Sequence, residues 1–112
     1  MTEAPLPGAE DQKLITLARA ARARIGAPTG AAVRDETGRS YTGADVALPS
    51  LRLTALELAL ATAVASGARG VEGAAVVGAS STDVAVVREV GGAGVTVWLA
   101  DGAGTVTAMV ST

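Results

Sequence analysis

Gly73-Ala74-Ala75-Val76-Val77-Gly78 is a continuous apolar run with a turn residue at each end. A strand with one wet face alternates apolar and polar residues. A run without alternation reads as a strand covered on both faces, and so as the centre of a sheet with helices on either side. Outward from this strand, Ser80 to Asp83 has the S-x-x-D form of a capping box and opens a short helix to Val90, although Val84, Val86, Val87 and Val90 suit a strand equally well. Val95 to Ala100 and Thr105 to Val110, joined by Asp101-Gly102-Ala103-Gly104, read as a hairpin. Toward the N-terminus, Pro49-Ser50 opens a helix in which Leu51, Leu53, Ala55, Leu56, Leu58, Ala59, Leu60, Ala63 and Val64 are apolar nearly all round, which predicts a buried helix ending at Ser66-Gly67. Before it, Ala31 to Arg34 and Ser40 to Val46 flank the turn cluster Asp35-Glu36-Thr37-Gly38 and form a second hairpin. Residues 10–25 place Leu14, Leu17, Ala18, Ala21 and Ile25 on one stripe of an amphipathic helix stopped by Gly26 and Pro28. The order αββαβαββ predicts a three-layer α/β/α domain with a mixed five-stranded sheet.

The composition narrows the chemistry. At 112 residues the chain has room for one core, so residues 10–112 are expected to form a single domain behind a flexible lead-in over 1–9. There is no Cys and no His, which excludes thiolate or imidazole metal sites, disulfides, and Ser-His-Asp or Cys-His catalysis. A net charge of −2 and only two aromatic residues give no basis for nucleic-acid binding. The acidic, Pro-rich start lacks the basic and apolar parts of a signal peptide, and the apolar stretch Leu51 to Ala65 is shorter than the roughly 20 residues that span a bilayer. The expectation is a cytoplasmic protein without membrane contact.

Six segments in sequence order carry a resemblance: Ala27-Pro28; Gly30-Ala31-Ala32-Val33; Thr37-Gly38; Tyr41-Thr42-Gly43-Ala44-Asp45-Val46; Leu53-Thr54-Ala55-Leu56-Glu57; and Val84-Ala85-Val86-Val87-Arg88-Glu89-Val90. In order and spacing they resemble the small zinc-dependent cytidine deaminases over residues 13 to 110. That family carries Ala-Pro, Gly-Ala-Ala, an acidic-Gly turn, Tyr-x-Gly-x-Asn-Val-Glu, Cys-Ala-Glu or His-Ala-Glu, and Pro-Cys-x-x-Cys-Arg-Gln. The resemblance implies the α/β/α cytidine-deaminase-like fold and hydrolytic deamination of cytidine to uridine. It also implies a dimer or tetramer.

The residues that perform that reaction are replaced. The family's three Cys or His ligands hold a zinc ion whose water attacks the base, while a Glu that is not a ligand moves the proton. The resemblance puts Ala55, Val84 and Val87 at the ligand positions, Glu57 at the proton-shuttle position and Arg88 at the Arg beside the second zinc cysteine. Ala and Val offer no donor atom. Zinc lowers the pKa of water from about 15.7 to about 7, so its loss forfeits on the order of 12 kcal/mol of nucleophile activation. No lone carboxylate restores that. The expectation is an inactive homologue without cofactor or metal.

The substrate side is eroded as well. The ribose-holding Asn and Glu of the family align with Asp45 and Ala47, and Thr29 follows Pro28 with a few residues deleted before Gly30, which reshapes the pocket mouth. Asp45, Glu57 and Arg88 are the ligand-contacting candidates of the relic pocket. Each has a structural alternative: Glu57 paired with Arg88 across the vacated site, and Asp45 as a turn or capping residue. An oxygen-only Mg²⁺ site from Asp45, Glu57 and Glu89 would be weak. Asp35-Glu36 reads as loop solvation, Gly91-Gly92-Ala93-Gly94 as a flexible connection, and Trp98 as core or interface. What is left is binding, which predicts a homo-oligomer or a protein partner, with a nucleoside or nucleotide sensor as the alternative and a working cytidine deaminase as the third.

Overall fold

The computed structural model describes residues 6–112. Of the lead-in expected over 1–9, residues 1–5 lie outside the described residues, and Ala9 already belongs to helix α1 (Ala9–Ile25). Strands β1 (Gly30–Asp35) and β2 (Ser40–Ala44) follow, then a short pair β3 (Val46–Leu48) and β4 (Leu51–Leu53). Helix α2 (Ala55–Ala65), β5 (Val71–Val77), α3 (Ala85–Gly91), β6 (Thr96–Ala100) and β7 (Val106–Ser111) complete the order. The main sheet runs β2-β1-β5-β6-β7, with β5 and β6 parallel through the α3 crossover and the other pairs antiparallel. It is the mixed five-stranded sheet of the sequence reading, with helices on both faces.

Strand β5 explains why its run does not alternate. Ala74 and Val76 join Leu56, Ala59, Leu60 and Val87 in a core beneath α2 and α3, while Ala75 and Val77 join Leu14, Ile15, Ala18 and Trp98 beneath α1. Both faces are dry, so both sets of side chains are apolar. Small residues bring the helices close. A side chain at Gly43 would stand 2.6 Å from the Ala55 carbonyl and 2.7 Å from Ala59 N, and one at Gly30 would run into the Ala18 carbonyl. The two glycines therefore let α2 and α1 rest backbone against backbone on β2 and β1, from opposite faces.

Helix α1 keeps three residues of the expected stripe, Leu14, Ala18 and Ala21, in the core and turns Ile15 inward in place of Leu17 and Ile25. It buries Leu14, Ile15, Ala18 and Ala21, whereas Leu17 is partly exposed and Ile25 stands in solvent. Asp11 fixes this phase: its carboxylate accepts from Arg34 Nη1 on β1 (3.0 Å) and from Trp98 Nε1 on β6 (2.9 Å). Trp98 is thereby core, with its one polar atom satisfied. In the β1–β2 turn Asp35 is buried rather than solvated. It accepts from Thr37 N and Oγ1, Arg39 N and Tyr41 Oη, and Glu36 accepts from Arg69 N and Gly70 N.

The largest departure from the sequence reading lies at residues 46–54. The strand expected to reach Val46 stops at Ala44, and the helix expected from Leu51 starts at Ala55. Between them, Val46–Leu48 and Leu51–Leu53 pair antiparallel around Pro49-Ser50, which is a turn and not a helix start. Nor is α2 buried all round. Ala55, Leu56, Ala59, Leu60 and Ala63 face the core, while Ala61, Val64 and Ala65 are exposed. Downstream, α3 begins at Ala85 without the expected Ser80–Asp83 capping box; Asp83 Oδ1 accepts from Ala85 N instead. No helix among the described residues is long and apolar enough to cross a membrane.

Candidate functional site

The site is built at the N-terminus of α2. The sequence Thr54-Ala55-Leu56-Glu57 is a capping box: Thr54 Oγ1 accepts from Glu57 N (3.1 Å), and Glu57 Oε1 accepts from Thr54 N (2.8 Å). Each side chain satisfies one of the amide groups that a helix start leaves without an intrahelical partner. This box starts α2 four residues later than the apolar pattern alone implies. It also bends Glu57 back on its own helix.

Asp45, between β2 and β3, holds the next amide. Its Oδ1 accepts from Ala55 N (3.2 Å), and its Oδ2 accepts from Thr29 N (2.7 Å) and Thr29 Oγ1 (2.6 Å). One carboxylate thus ties the loop after α1 to the start of α2, at a place where the helix dipole favours negative charge. The capping alternative for Asp45 describes these contacts.

Beside these groups opens a cavity of about 370 Å³, lined by Thr29, Asp45, Thr54 and Ala55, by Ser81, Thr82 and Asp83, and by the apolar Leu56, Val76 and Ala79. Glu57 is not among its walls. It lines two neighbouring clefts instead, one of about 260 Å³ with Asp45 and Arg52 and one of about 100 Å³ with Thr54, Asp83 and Val86. The pairing of Glu57 with Arg88 does not form. Arg88 is exposed and donates through Nη2 to the Thr112 carbonyl (3.2 Å), away from the cavity walls. Of the three ligand-contacting candidates, Asp45 and Glu57 share a cleft and Arg88 stands apart.

The positions that the resemblance assigns to zinc do not fit the ion. Ala55 is the first residue of α2 and only its methyl reaches the cavity wall; Val87 is fully buried in the core below α2, and Val84 packs against the same cluster. None has a side-chain lone pair, and zinc needs three such ligands. Among the described residues, no three Asp, Glu, His or Cys converge on one point, so Asp45, Glu57 and Glu89 do not form an oxygen-only site either. The cavity's hydroxyls and Asp83 escaped the sequence reading, since Ser81-Thr82-Asp83 resembles any polar loop. The Thr-x-x-Glu pattern at 54–57 was the signal that would have found the helix start.

Ordinary titration is shifted in the β1–β2 turn instead. Asp35 is held below the usual carboxylate value, first by the hydrogen bond from the Thr37 hydroxyl and then by the amides of Thr37 and Arg39, against the opposing effect of burial. Tyr41 is raised by burial and by the neighbouring Asp35 carboxylate. This pair lies on the hairpin, outside the cavity.

Comparison with known proteins agrees with the geometry. A family profile described as cytidine deaminase-like matches residues 7–104. Among solved structures, cytidine deaminase from Burkholderia pseudomallei superposes with a TM-score of 0.72 at 28% identity, covering 88% of this chain and 90% of that one. The cytidine deaminase of Mycobacterium leprae gives 0.71 at 24% identity over 94% of each chain, and that of Mycobacterium tuberculosis 0.68 at 24% over 80% and 85%. These last two speak to the fold alone. Comparison with curated proteins found no match. With nearly its whole length matched and the sheet order in place, the chain belongs to the cytidine deaminase-like family.

Proposed function

We propose that this chain is a deaminase-like domain that has lost zinc-dependent hydrolysis and acts by binding, first of all to other copies of itself or to a protein partner. The observation that carries the reading is the side-chain chemistry at the three metal-holding positions. Ala55, Val84 and Val87 have no donor atoms, and Glu57, the family's proton carrier, is bonded to Thr54 N. Without an activated water a carboxylate at that place has no proton to move. Filling a vacated polar site with aliphatic residues adds apolar contact in place of function.

Self-association is supported by apolar side chains left in solvent. Leu48 and Leu51, 55% and 48% exposed, crown the β3–β4 hairpin, and Val64 stands 48% exposed on the outer face of α2. Apolar surface of this kind is stabilised when another protein covers it. Chromatographic detection of uridine from cytidine in zinc-supplemented buffer, run beside sedimentation velocity, tests both halves. The expected result is no uridine and a particle of at least twice the chain mass. Uridine formation abolished by a chelator overturns the first half, and a monomer at all concentrations overturns self-association.

A second reading is favoured by the open cavity. Its walls carry two carboxylates, Asp45 and Asp83, with the hydroxyls of Thr29, Thr54, Ser81 and Thr82, and no basic residue. Such a lining suits an uncharged, donor-rich ligand such as a nucleoside and repels the phosphate of a nucleotide. Thermal-shift measurements with cytidine and cytidine monophosphate separate the two, and stabilisation by the monophosphate alone contradicts this reading.

A further inference from the structure

We propose that a second cleft, on the α1 side of the sheet where β5 and β6 end, binds a small zwitterion of the α-amino acid class. The two strands are parallel, so their carboxyl ends open at one edge, tied by Gly78 N donating to the Ala100 carbonyl (2.8 Å). Crevices at the carboxyl ends of parallel strands are recurrent ligand positions in α/β proteins. Here the crevice measures about 270 Å³ and is lined by Arg22, Gly78, Ser80, Asp101, Gly102 and Thr107.

Two opposite charges share this cleft without forming an ion pair. Arg22 Nε donates to the Pro28 carbonyl (3.0 Å), which fixes the guanidinium and, among the described residues, leaves both Nη groups without an acceptor. Asp101 Oδ1 accepts from Ala103 N and Thr105 N, both at 3.0 Å, which fixes the carboxylate in the hairpin loop and, among the described residues, leaves Oδ2 without a donor. Among the described residues neither forms an ion pair. The guanidinium lies against two glycines: a side chain at Gly78 would meet Arg22 Nε at 2.9 Å, and one at Gly102 would meet Nη1 at 2.9 Å.

A simple anion placed at Arg22 is repelled by Asp101, and a simple amine placed at Asp101 is repelled by Arg22. A ligand carrying a carboxylate and an ammonium a few ångströms apart satisfies both, the carboxylate taking the planar fork of Arg22. Ser80 and Thr107 add hydroxyls to the lining. The cleft is smaller than the roughly 300–1,000 Å³ of drug-sized sites, which limits the ligand to a compact one.

Calorimetric titration of the full chain with glycine, L-alanine and L-serine tests the site, with acetate, methylammonium and inorganic phosphate as single-charge probes. The expected result is saturable binding of at least one amino acid, weaker binding of every single-charge probe, and an affinity loss of at least about tenfold in both Asp101→Asn and Arg22→Gln. Asn retains an oxygen for the two loop amides, so D101N removes the charge and keeps the turn. Asp45→Asn, in the other cavity, leaves amino-acid binding unchanged, which separates this site from the cavity at the start of α2. Absence of amino-acid binding overturns the proposal. So does binding of phosphate or acetate that matches the amino acids and ignores D101N.

Discussion

Replacing Glu57 by Ala separates a capping residue from a relic of catalysis, because the two roles predict opposite effects on stability. In the structure Glu57 Oε1 is the acceptor for Thr54 N at 2.8 Å, at the first turn of a helix whose inner face forms much of the core. Removing the side chain loses a hydrogen bond with a net worth of about 0.5–1.5 kcal/mol. It also removes a negative charge from a helix N-terminus, worth about 0.3–1 kcal/mol. The higher helix propensity of Ala returns a few tenths. Glu57→Ala is therefore expected to cost about 1 kcal/mol, a fall in Tm of about 4–8 °C for a domain near this size. Glu57→Gln keeps an oxygen for Thr54 N and should lose only the charge contribution, about half as much. Thr54→Ala removes the reciprocal bond and should cost about 1 kcal/mol. Combining it with Glu57→Ala should show a coupling of about 0.5 kcal/mol, since each bond holds the geometry of the other. Urea melts followed by far-ultraviolet circular dichroism give all four values. An unchanged or raised midpoint for Glu57→Ala, or a Gln variant as weak as the Ala variant, refutes the capping account. A residue poised for catalysis would behave that way.

Other perturbations address the remaining contacts. Gly43→Ala forces a methyl to within 2.6–2.7 Å of α2 backbone atoms that cannot rotate away, and should cost about 1–3 kcal/mol in a urea melt. Asp45→Ala strands Thr29 N and Ala55 N and should destabilise by about 2 kcal/mol, whereas Asp45→Asn, which keeps one of the two acceptor oxygens, should cost less. The Asp35 carboxylate has a folded value below its ordinary 3.8, so its contribution is fully present above that pH and is lost as the pH falls through the lowered value; Asp35→Asn should flatten the acid side of a stability-against-pH curve. Tyr41, raised above 10.0, contributes the opposite way: its share is present below pH 10 and lost as the pH rises past the raised value, a loss that Tyr41→Phe should remove.

How much of this was legible depended on whether the residues carried a phase. The central strand was readable because Ala74 to Val77 are apolar without alternation, and both faces prove to be covered. The β1–β2 hairpin was readable from Asp35-Glu36-Thr37-Gly38, although the burial of Asp35 was not, because burying it depends on Tyr41 arriving from the next strand. In residues 46–65 the apolar residues fall on every side, so the pattern has no phase with which to separate Leu51–Leu53 from the helix after it. Only the polar Thr54-x-x-Glu57 marks that boundary. In α1 the choice between Leu17 and Ile15 depended on where Asp11 meets Trp98, a contact across 87 residues that no local pattern encodes. The positions of Ala55, Val84 and Val87 were legible through the resemblance. That Val87 sinks into the core while a cavity stays open beside Ala55 was not.

Loss of the metal is tested by the zinc content of the purified chain after growth and refolding in excess zinc, measured by mass spectrometry beside a variant carrying Ala55→Cys, Val84→Cys and Val87→Cys. No stoichiometric zinc is expected in the natural chain, because Ala55, Val84 and Val87 carry no donor atom, and the variant, which supplies three thiolates, is expected to retain more. One zinc per natural chain would contradict the loss.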